Sequence, residues 1–217
     1  MTAPFRLPAV EAALAALFPA GTAVAAAPVM AGTRPDWPEE AAAVAGAVPR
    51  RVAEFAAGRA AARRAMAALG LAPVPIPMGA DRAPVWPEGL AGSISHAAGV
   101  AVAALRRGGA IGLDVEEDAA LEPGLWRLIC MPAELEAAPA AERGRHVRRV
   151  FAAKEAVYKA QYPLSGRLIG FDAVEVRFDA TGFTARFTRV EGPFAAGHEL
   201  RGRLVCAEGL ILAGVAV

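Results

Sequence analysis

Along this chain the spacing of apolar residues alternates between helical and strand-like. From Arg51 to Leu69 the apolar side chains Val52, Phe55, Ala62, Met66 and Leu69 fall at helical spacing and Gly70 follows, which predicts an amphipathic helix with its stop. A second helix is expected from about Glu142 to Gln161, ended by Pro163, which lacks an N–H and clashes with the preceding turn. Between them, Gly99–Leu105 and Ala110–Glu116 read as strands, and the linking Arg106-Arg107-Gly108-Gly109 reads as a hairpin turn. Two further hairpins are expected near the end of the chain. Val174–Phe178 and Phe183–Phe187 flank DATG, and Leu200–Cys206 and Leu210–Val217 flank a Glu-Gly pair.

Elsewhere the pattern is weaker. A short helix near Val10–Phe18 and a strand near Ala23–Met30 are expected, while residues 119–140 read as irregular or weakly helical, with Trp126 and Leu128 as buried anchors. The proline-punctuated stretch PVPIPMGADRAPVWPEG, residues 73–89, has no period and reads as a functional loop. This order of elements predicts an α+β fold in two halves, residues 1–108 and 109–217.

With 217 residues the chain can bury a real core, and its 55% hydrophobic fraction is inflated by alanine. Residues 12–33 are uncharged, yet prolines, glycines and alanines there argue against a membrane span, and Glu11, Pro4, Pro8 and Pro19 argue against a signal peptide. Cys130 and Cys206 fit no metal or disulfide spacing, so free thiols in the cytoplasm are expected. A net charge of +1 gives no single-sign field of the kind nucleic-acid binders carry.

Charge becomes informative once lysine is separated from arginine. Of 23 basic residues only Lys154 and Lys159 are lysines, and both lie in FAAKEAVYKA. A compact ammonium can act as a point charge on phosphate or join in proton transfer, where a guanidinium is a planar fork that stays protonated. On a strand, Asp114 and Glu116 of IGLDVEED point the same way, a hard oxygen pair suited to Mg²⁺ with phosphate and water; a solvated acidic strand end with Glu117 and Asp118 is the alternative. Glu155 would supply a third carboxylate. It shares a helix stripe with Lys159, and an ordinary Glu-to-Lys pair worth ~0.3 to 0.5 kcal/mol is the competing account. In GSISHA, Ser93, Ser95 and His96 offer donors for phosphate oxygens, although a histidine at a strand edge is more often structural. Arg51, Arg59 and Arg63 share one side of the first helix and either bind a phosphate or form a solvated face. His146 and His198 have no chemical context.

Taken in order, RVAEFAAGRAAARRAMAALG, DRAPVWPEGLAGSISHA, IGLDVEE, FAAKEAVYKA and IGFDAVEVRF resemble the surfactin- and enterobactin-type 4′-phosphopantetheinyl transferases across roughly residues 50–178. The resemblance implies a pseudo-duplicated α+β fold with a cleft between similar halves. It implies transfer of 4′-phosphopantetheine from coenzyme A to a serine of an apo acyl, peptidyl or aryl carrier protein, with release of adenosine 3′,5′-bisphosphate, as in holo-[acyl-carrier-protein] synthases. By the same resemblance Asp114, Glu116 and Glu155 match the Mg²⁺ ligands, with Mn²⁺ able to substitute. Lys159 matches a lysine that contacts the diphosphate and assists the leaving group, and Lys154 its neighbour in the motif. Ser95 and His96 match a pair near the coenzyme A phosphates, Arg51 and Arg59 match positions for the 3′-phosphate, and Arg82 lies in the loop before Trp86. Departures are Ala97 where relatives often have Cys or Ser, Met78 where some are basic, and Phe151 where others have Trp.

Fatty-acid, siderophore and nonribosomal-peptide carriers are all compatible acceptors, and a monomer is expected. Arg143, Arg145, Arg148 and Arg149 would offer a basic docking patch for an acidic carrier, or are merely solvated. Two rivals remain. One is a Mg²⁺-dependent coenzyme A or nucleotide pyrophosphohydrolase, the other a non-catalytic module that binds coenzyme A or a carrier protein.

Overall fold

The computed structural model describes residues 5–217. In chain order its elements are α1 (Leu7–Ala15), β1 (Ala23–Pro28), α2 (Pro38–Ala42), α3 (Pro49–Ala68), β2 (Leu90–Ala97), β3 (Val100–Arg107), β4 (Ile111–Glu117), α4 (Pro123–Ile129), α5 (Pro132–Glu136), α6 (Arg143–Ser165), β5 (Val174–Phe178), β6 (Phe183–Phe187), β7 (Glu199–Ala207) and β8 (Leu210–Ala216). Short 3₁₀ turns at Ala140–Glu142 and Phe171–Ala173 lead into α6 and β5. The fold is α+β, with an antiparallel sheet ordered β1-β3-β2 and a second ordered β4-β8-β7-β6-β5.

Each sheet carries one long helix. On the smaller sheet, Ala61, Ala62, Ala65 and Met66 of α3 pack on Ala25, Ala27, Ala103 and Leu105, small side chains that let helix and strands approach closely. On the larger one, Val147, Val150, Ala153, Val157 and Ala160 of α6 cover Val174, Val176, Phe183, Phe187, Ile211 and Val215. The remaining faces share a core. There Val10 and Leu14 of α1 meet Val100 and Val102 from the first sheet and Ile111, Leu113, Val115, Leu210 and Leu212 from the second.

The two C-terminal hairpins form as the pattern predicts, with Phe178 opposite Phe183 and Ala207 opposite Leu210. The central one does not. β3 already has β1 on one edge and β2 on the other, so no edge is left for β4, which pairs with β8 instead. The hairpin that uses β3 is β2–β3, closed by Ala98 and Gly99 with φ of 49° and 88° and with Ala97 opposite Val100. Two positive φ values in a two-residue loop match the right-handed twist of the strands it joins.

Two smaller expectations also change. Pro163 lies inside α6, in its last turn, and the stop is Gly166 at φ 65°, whose N–H bonds the Tyr162 carbonyl. Leu128 is 70% exposed, and Ile129 and Cys130 are the buried anchors of that segment beside a partly buried Trp126. Among the described residues no helix is long and apolar enough to cross a membrane.

Candidate active site

Strand alternation in β4 sends Ile111, Leu113 and Val115 into the shared core and Gly112, Asp114 and Glu116 toward α6. Gly112 makes that contact possible. A Cβ at this position would collide with the Ala156 carbonyl oxygen and come within 2.6 Å of the Ala160 nitrogen, so only glycine lets α6 lie on the strand. One turn along the helix from Glu155, the Lys159 ammonium then reaches Asp114 Oδ1 at 2.7 Å.

β2 closes the site from the other sheet. The Ser95 hydroxyl donates to Asp114 Oδ1 at 2.9 Å and accepts from Lys159 Nζ at 3.1 Å, while Lys159 also donates to the Leu113 carbonyl at 3.1 Å. The Ser93 hydroxyl oxygen accepts from the Leu113 N–H at 2.9 Å, so side chains stitch β2 to β4 where no backbone ladder does. Asp114 is 3% exposed, and its Oδ2 is buried with no hydrogen-bond partner. A buried carboxylate oxygen left unpaired is costly unless something else binds it.

Glu116 accepts from Arg148 Nη1 at 2.7 Å. Burial, then the nearby Asp114 charge, pushes the Glu116 carboxyl above the usual range. Burial raises Glu155 as well, with a further push from Asp114 opposed by Lys159. The acids thus feel one another. Among the described residues, however, no three Asp, Glu, His or Cys side chains are gathered into a ready-made metal cage, so the trio expected from sequence is not preformed. The donor set still fits Mg²⁺, a hard cation that takes one or two carboxylates and fills its octahedron with phosphate oxygens and water. The unpaired Asp114 Oδ2 points to such a charge.

On the α3 side, Arg51 donates from Nη1 to His96 Nε2 at 2.8 Å. A guanidinium can only donate, so Nε2 is the ring's acceptor and its proton sits on Nδ1, 3.7 Å from Glu54 Oε2. Burial, the largest cause, lowers the His96 pKa. Two cavities open on α6, one against Lys159 and one against Glu155, and share Tyr158 as a wall. One, of about 530 Å³, is lined by Arg82, Trp86, Ser93, Lys159 and Tyr162, and the other, of about 270 Å³, by Glu155, Leu168, Ile169, Phe171 and Val174.

Two basic residues expected at this surface lie inside. Arg59 is 5% exposed, sits over the Phe55 ring at 4.1 Å and donates to the Ile76 carbonyl at 2.7 Å; burial draws its pKa down to about 10. Lys154 is 2% exposed, and all three of its protons go to protein oxygens: Glu134 Oε2 at 2.7 Å, the Phe171 carbonyl at 2.8 Å and the Ile129 carbonyl at 2.9 Å. Lys154 therefore presents no free donor in this structure, whereas Arg59 spends only its Nε proton and keeps its two terminal nitrogens uncommitted among the described residues. Arg63 is likewise engaged, by Glu40 and Asp36.

Comparison with known proteins decides which family this architecture belongs to. The model of the 4′-phosphopantetheinyl transferase N-terminal domain matches residues 39–106, and that of the 4′-phosphopantetheinyl transferase superfamily matches residues 110–207. The 4′-phosphopantetheinyl transferase Svp of Streptomyces mobaraensis is 42% identical over 193 residues, covering 83% of this chain and 78% of that protein. PptT of Mycobacterium tuberculosis, also named a 4′-phosphopantetheinyl transferase, is 38% identical over 82% of this chain and 84% of its own length. Enterobactin synthase component D of Salmonella typhimurium is 48% identical over 68 residues, 31% of this chain and 28% of that protein. The chain belongs to the 4′-phosphopantetheinyl transferase family.

Within this phosphopantetheinyl transferase, several residues that shape the site gave little warning in the sequence. Glu40, fully buried, accepts from Arg63 at 2.6 Å and from the Ile76 N–H at 2.9 Å, tying α2 and the 73–89 loop to α3. Tyr162 donates to Asp81 Oδ2 at 2.9 Å and holds the same loop to α6. Glu134 had a readable signal, since Pro132 and Glu134 stand at helix positions that favour a start, and its carboxylate does accept from the Met131 N–H at 2.6 Å. The arginines at the start of α6 are mostly spoken for: Arg143 bonds the Leu135 carbonyl, Arg148 bonds Glu116, and Arg145 lies 3.8 Å from Asp118.

Proposed function

We propose that this protein transfers 4′-phosphopantetheine from coenzyme A to a serine of an apo carrier protein and releases adenosine 3′,5′-bisphosphate, with Mg²⁺ as cofactor. The observation that carries the reading is the buried Asp114, gripped through one oxygen by Lys159 and Ser95 and unpaired at the other, with Lys159 lining one cavity and Glu155 lining a second. Asp114 and Glu116, with Glu155, would hold the cation, which would neutralise diphosphate charge and polarise phosphorus.

The chain's own groups supply the rest. The Lys159 ammonium, a quarter exposed, exchanges its bond to Ser95 or to the Leu113 carbonyl for one to the diphosphate and steadies the negative charge that grows on the departing nucleotide. Glu155, the carboxylate that lines the cavity beside the cation site, takes the proton as the serine oxygen bonds the phosphorus attached to pantetheine. The bond from that phosphorus to the bridging oxygen breaks, and the nucleotide leaves with the electron pair. Arg51, braced by His96, receives the 3′-phosphate, and Arg82 lines the nucleotide-side cavity. The apolar cavity beside Glu155 takes the pantetheine chain. Residues 1–108 thus serve the nucleotide and 109–217 the transfer. We place the enzyme in the cytoplasm as a monomer, acting in the manner of a holo-[acyl-carrier-protein] synthase on fatty-acid or nonribosomal-peptide and siderophore carriers.

The test is incubation with coenzyme A, Mg²⁺ and a panel of apo fatty-acid, polyketide and peptide carriers, read by intact mass. One added phosphopantetheine on a carrier, with adenosine 3′,5′-bisphosphate in equal amount, is expected. Cleavage of coenzyme A without any carrier would instead establish a pyrophosphohydrolase. Binding of coenzyme A with no turnover would leave a non-catalytic module.

A further inference from the structure

In a chain that uses arginine almost everywhere, Lys154 occupies a place where three oxygens close on a single nitrogen. Its ammonium sits among the end of α4, the start of α5, the 3₁₀ turn before β5, and α6. The three oxygens around it suit three tetrahedral donors on a narrow stem, not a planar fork. Its partner Glu134 is 2% exposed and equally occupied: one oxygen takes Lys154 and the Met131 N–H, the other the Val176 N–H of β5 at 2.7 Å. The Glu134 carbonyl in turn meets His146 of α6 at 2.8 Å. Lys154 and Glu134 therefore join five separate segments.

Those segments frame the reacting groups. Lys154 immediately precedes Glu155, and residues 168–171, which end in the Phe171 carbonyl that Lys154 binds, form the far wall of the cavity beside Glu155. We infer that Lys154, with Glu134 as its counter-ion, is a positioning residue that locks α6 to the cavity wall and so sets where Glu155 stands. It acts through the Ile129 and Phe171 carbonyls and does not touch the diphosphate. The inference rests on the transferase reading for its reaction but on the bonds just described for its geometry.

A cycle of Lys154→Met, Glu134→Gln and the double variant tests it, read by melting temperature, by kcat and KM on a carrier that the wild type modifies, and by calorimetric titration with coenzyme A and Mg²⁺. Each single variant leaves a buried group without its partner and is expected to melt lower. The double variant removes both charges and is expected to recover most of the melting temperature while kcat stays at least tenfold down, because the two backbone carbonyls remain unheld. Coenzyme A affinity should then change less than threefold. Recovery of wild-type kcat by the double variant would reduce the pair to a structural role and overturn the inference. So would loss confined to Lys154→Met, with Glu134→Gln fully active and coenzyme A affinity down tenfold in the former, since that marks direct phosphate contact. A wild type that modifies no carrier yet binds coenzyme A sinks the transferase reading alone. The inference is then judged on the titration, where a tenfold loss for Lys154→Met only would contradict it.

Discussion

The two halves each lay a long helix on an antiparallel sheet, and each buries one cation beneath it, but they choose different cations. In the N-terminal half the buried cation is Arg59, flat over Phe55 with a single carbonyl to satisfy. In the C-terminal half it is Lys154, with three oxygens converging from three directions. Shape decides the choice. A guanidinium stacks on a ring in an alanine-lined layer, whereas a compact ammonium fits a narrow slot between segments. The more exposed cations at the site divide the same way: half-exposed Arg51 faces His96, where a broad fork suits a terminal phosphate, and Lys159 enters the tight space beside Asp114.

The contact that most separates the halves is the close approach of α6 to β4, which has no counterpart on the α3 side at this severity. Gly112→Ala should force the helix away from Ala156 and cost about 3 kcal/mol or more, the upper end for overpacking, with activity lost alongside. A thermal melt near that of the wild type with normal turnover would show that the helix has room to spare. On the other half, Arg51→Ala should raise KM for coenzyme A about tenfold, the scale of a lost charged hydrogen bond, and leave KM for 3′-dephospho-coenzyme A unchanged. Equal losses on both substrates would remove the 3′-phosphate from this side chain.

The smallest effect concerns pH. His96 faces Glu54, Arg51 and Arg50 on α3 and Lys159 on α6, and its folded-state pKa lies below the ordinary histidine value, burial being the first cause. The unfolded chain therefore binds the proton more readily. The stability from this residue is complete above the ordinary histidine range and is lost as pH falls from there toward the folded pKa. A pH series of melting temperatures for the wild type and His96→Asn should diverge least in mildly acid buffer. A constant difference from neutral to acid pH would contradict it.

Much of this was legible because the signals are local. Helical spacing marked α3 and α6, and DATG and Glu-Gly marked the last two hairpins. Strand alternation put Asp114 and Glu116 on the α6 side of β4 and Val115 in the core. What escaped depends on distant partners. Gly108-Gly109 has the composition of a hairpin turn, but only the presence of β1 and β2 on both edges of β3 forces the chain to cross to another sheet. Nothing near Arg59 announces the Ile76 carbonyl, and nothing near Lys154 announces Glu134, twenty residues upstream. Pro163 was misleading because a proline in a final turn forfeits only one hydrogen bond, and Gly166 ends the helix three residues later.

The most direct measurement is single-turnover holo-carrier formation by Asp114→Asn and Glu155→Gln, each checked for folding and supplied with saturating coenzyme A, carrier and Mg²⁺. If the reaction happens where β2, β4 and α6 meet, both should slow on the order of 100-fold or more, as expected when a charge-stabilising group is removed. Near-wild-type rates in either variant would place the chemistry elsewhere.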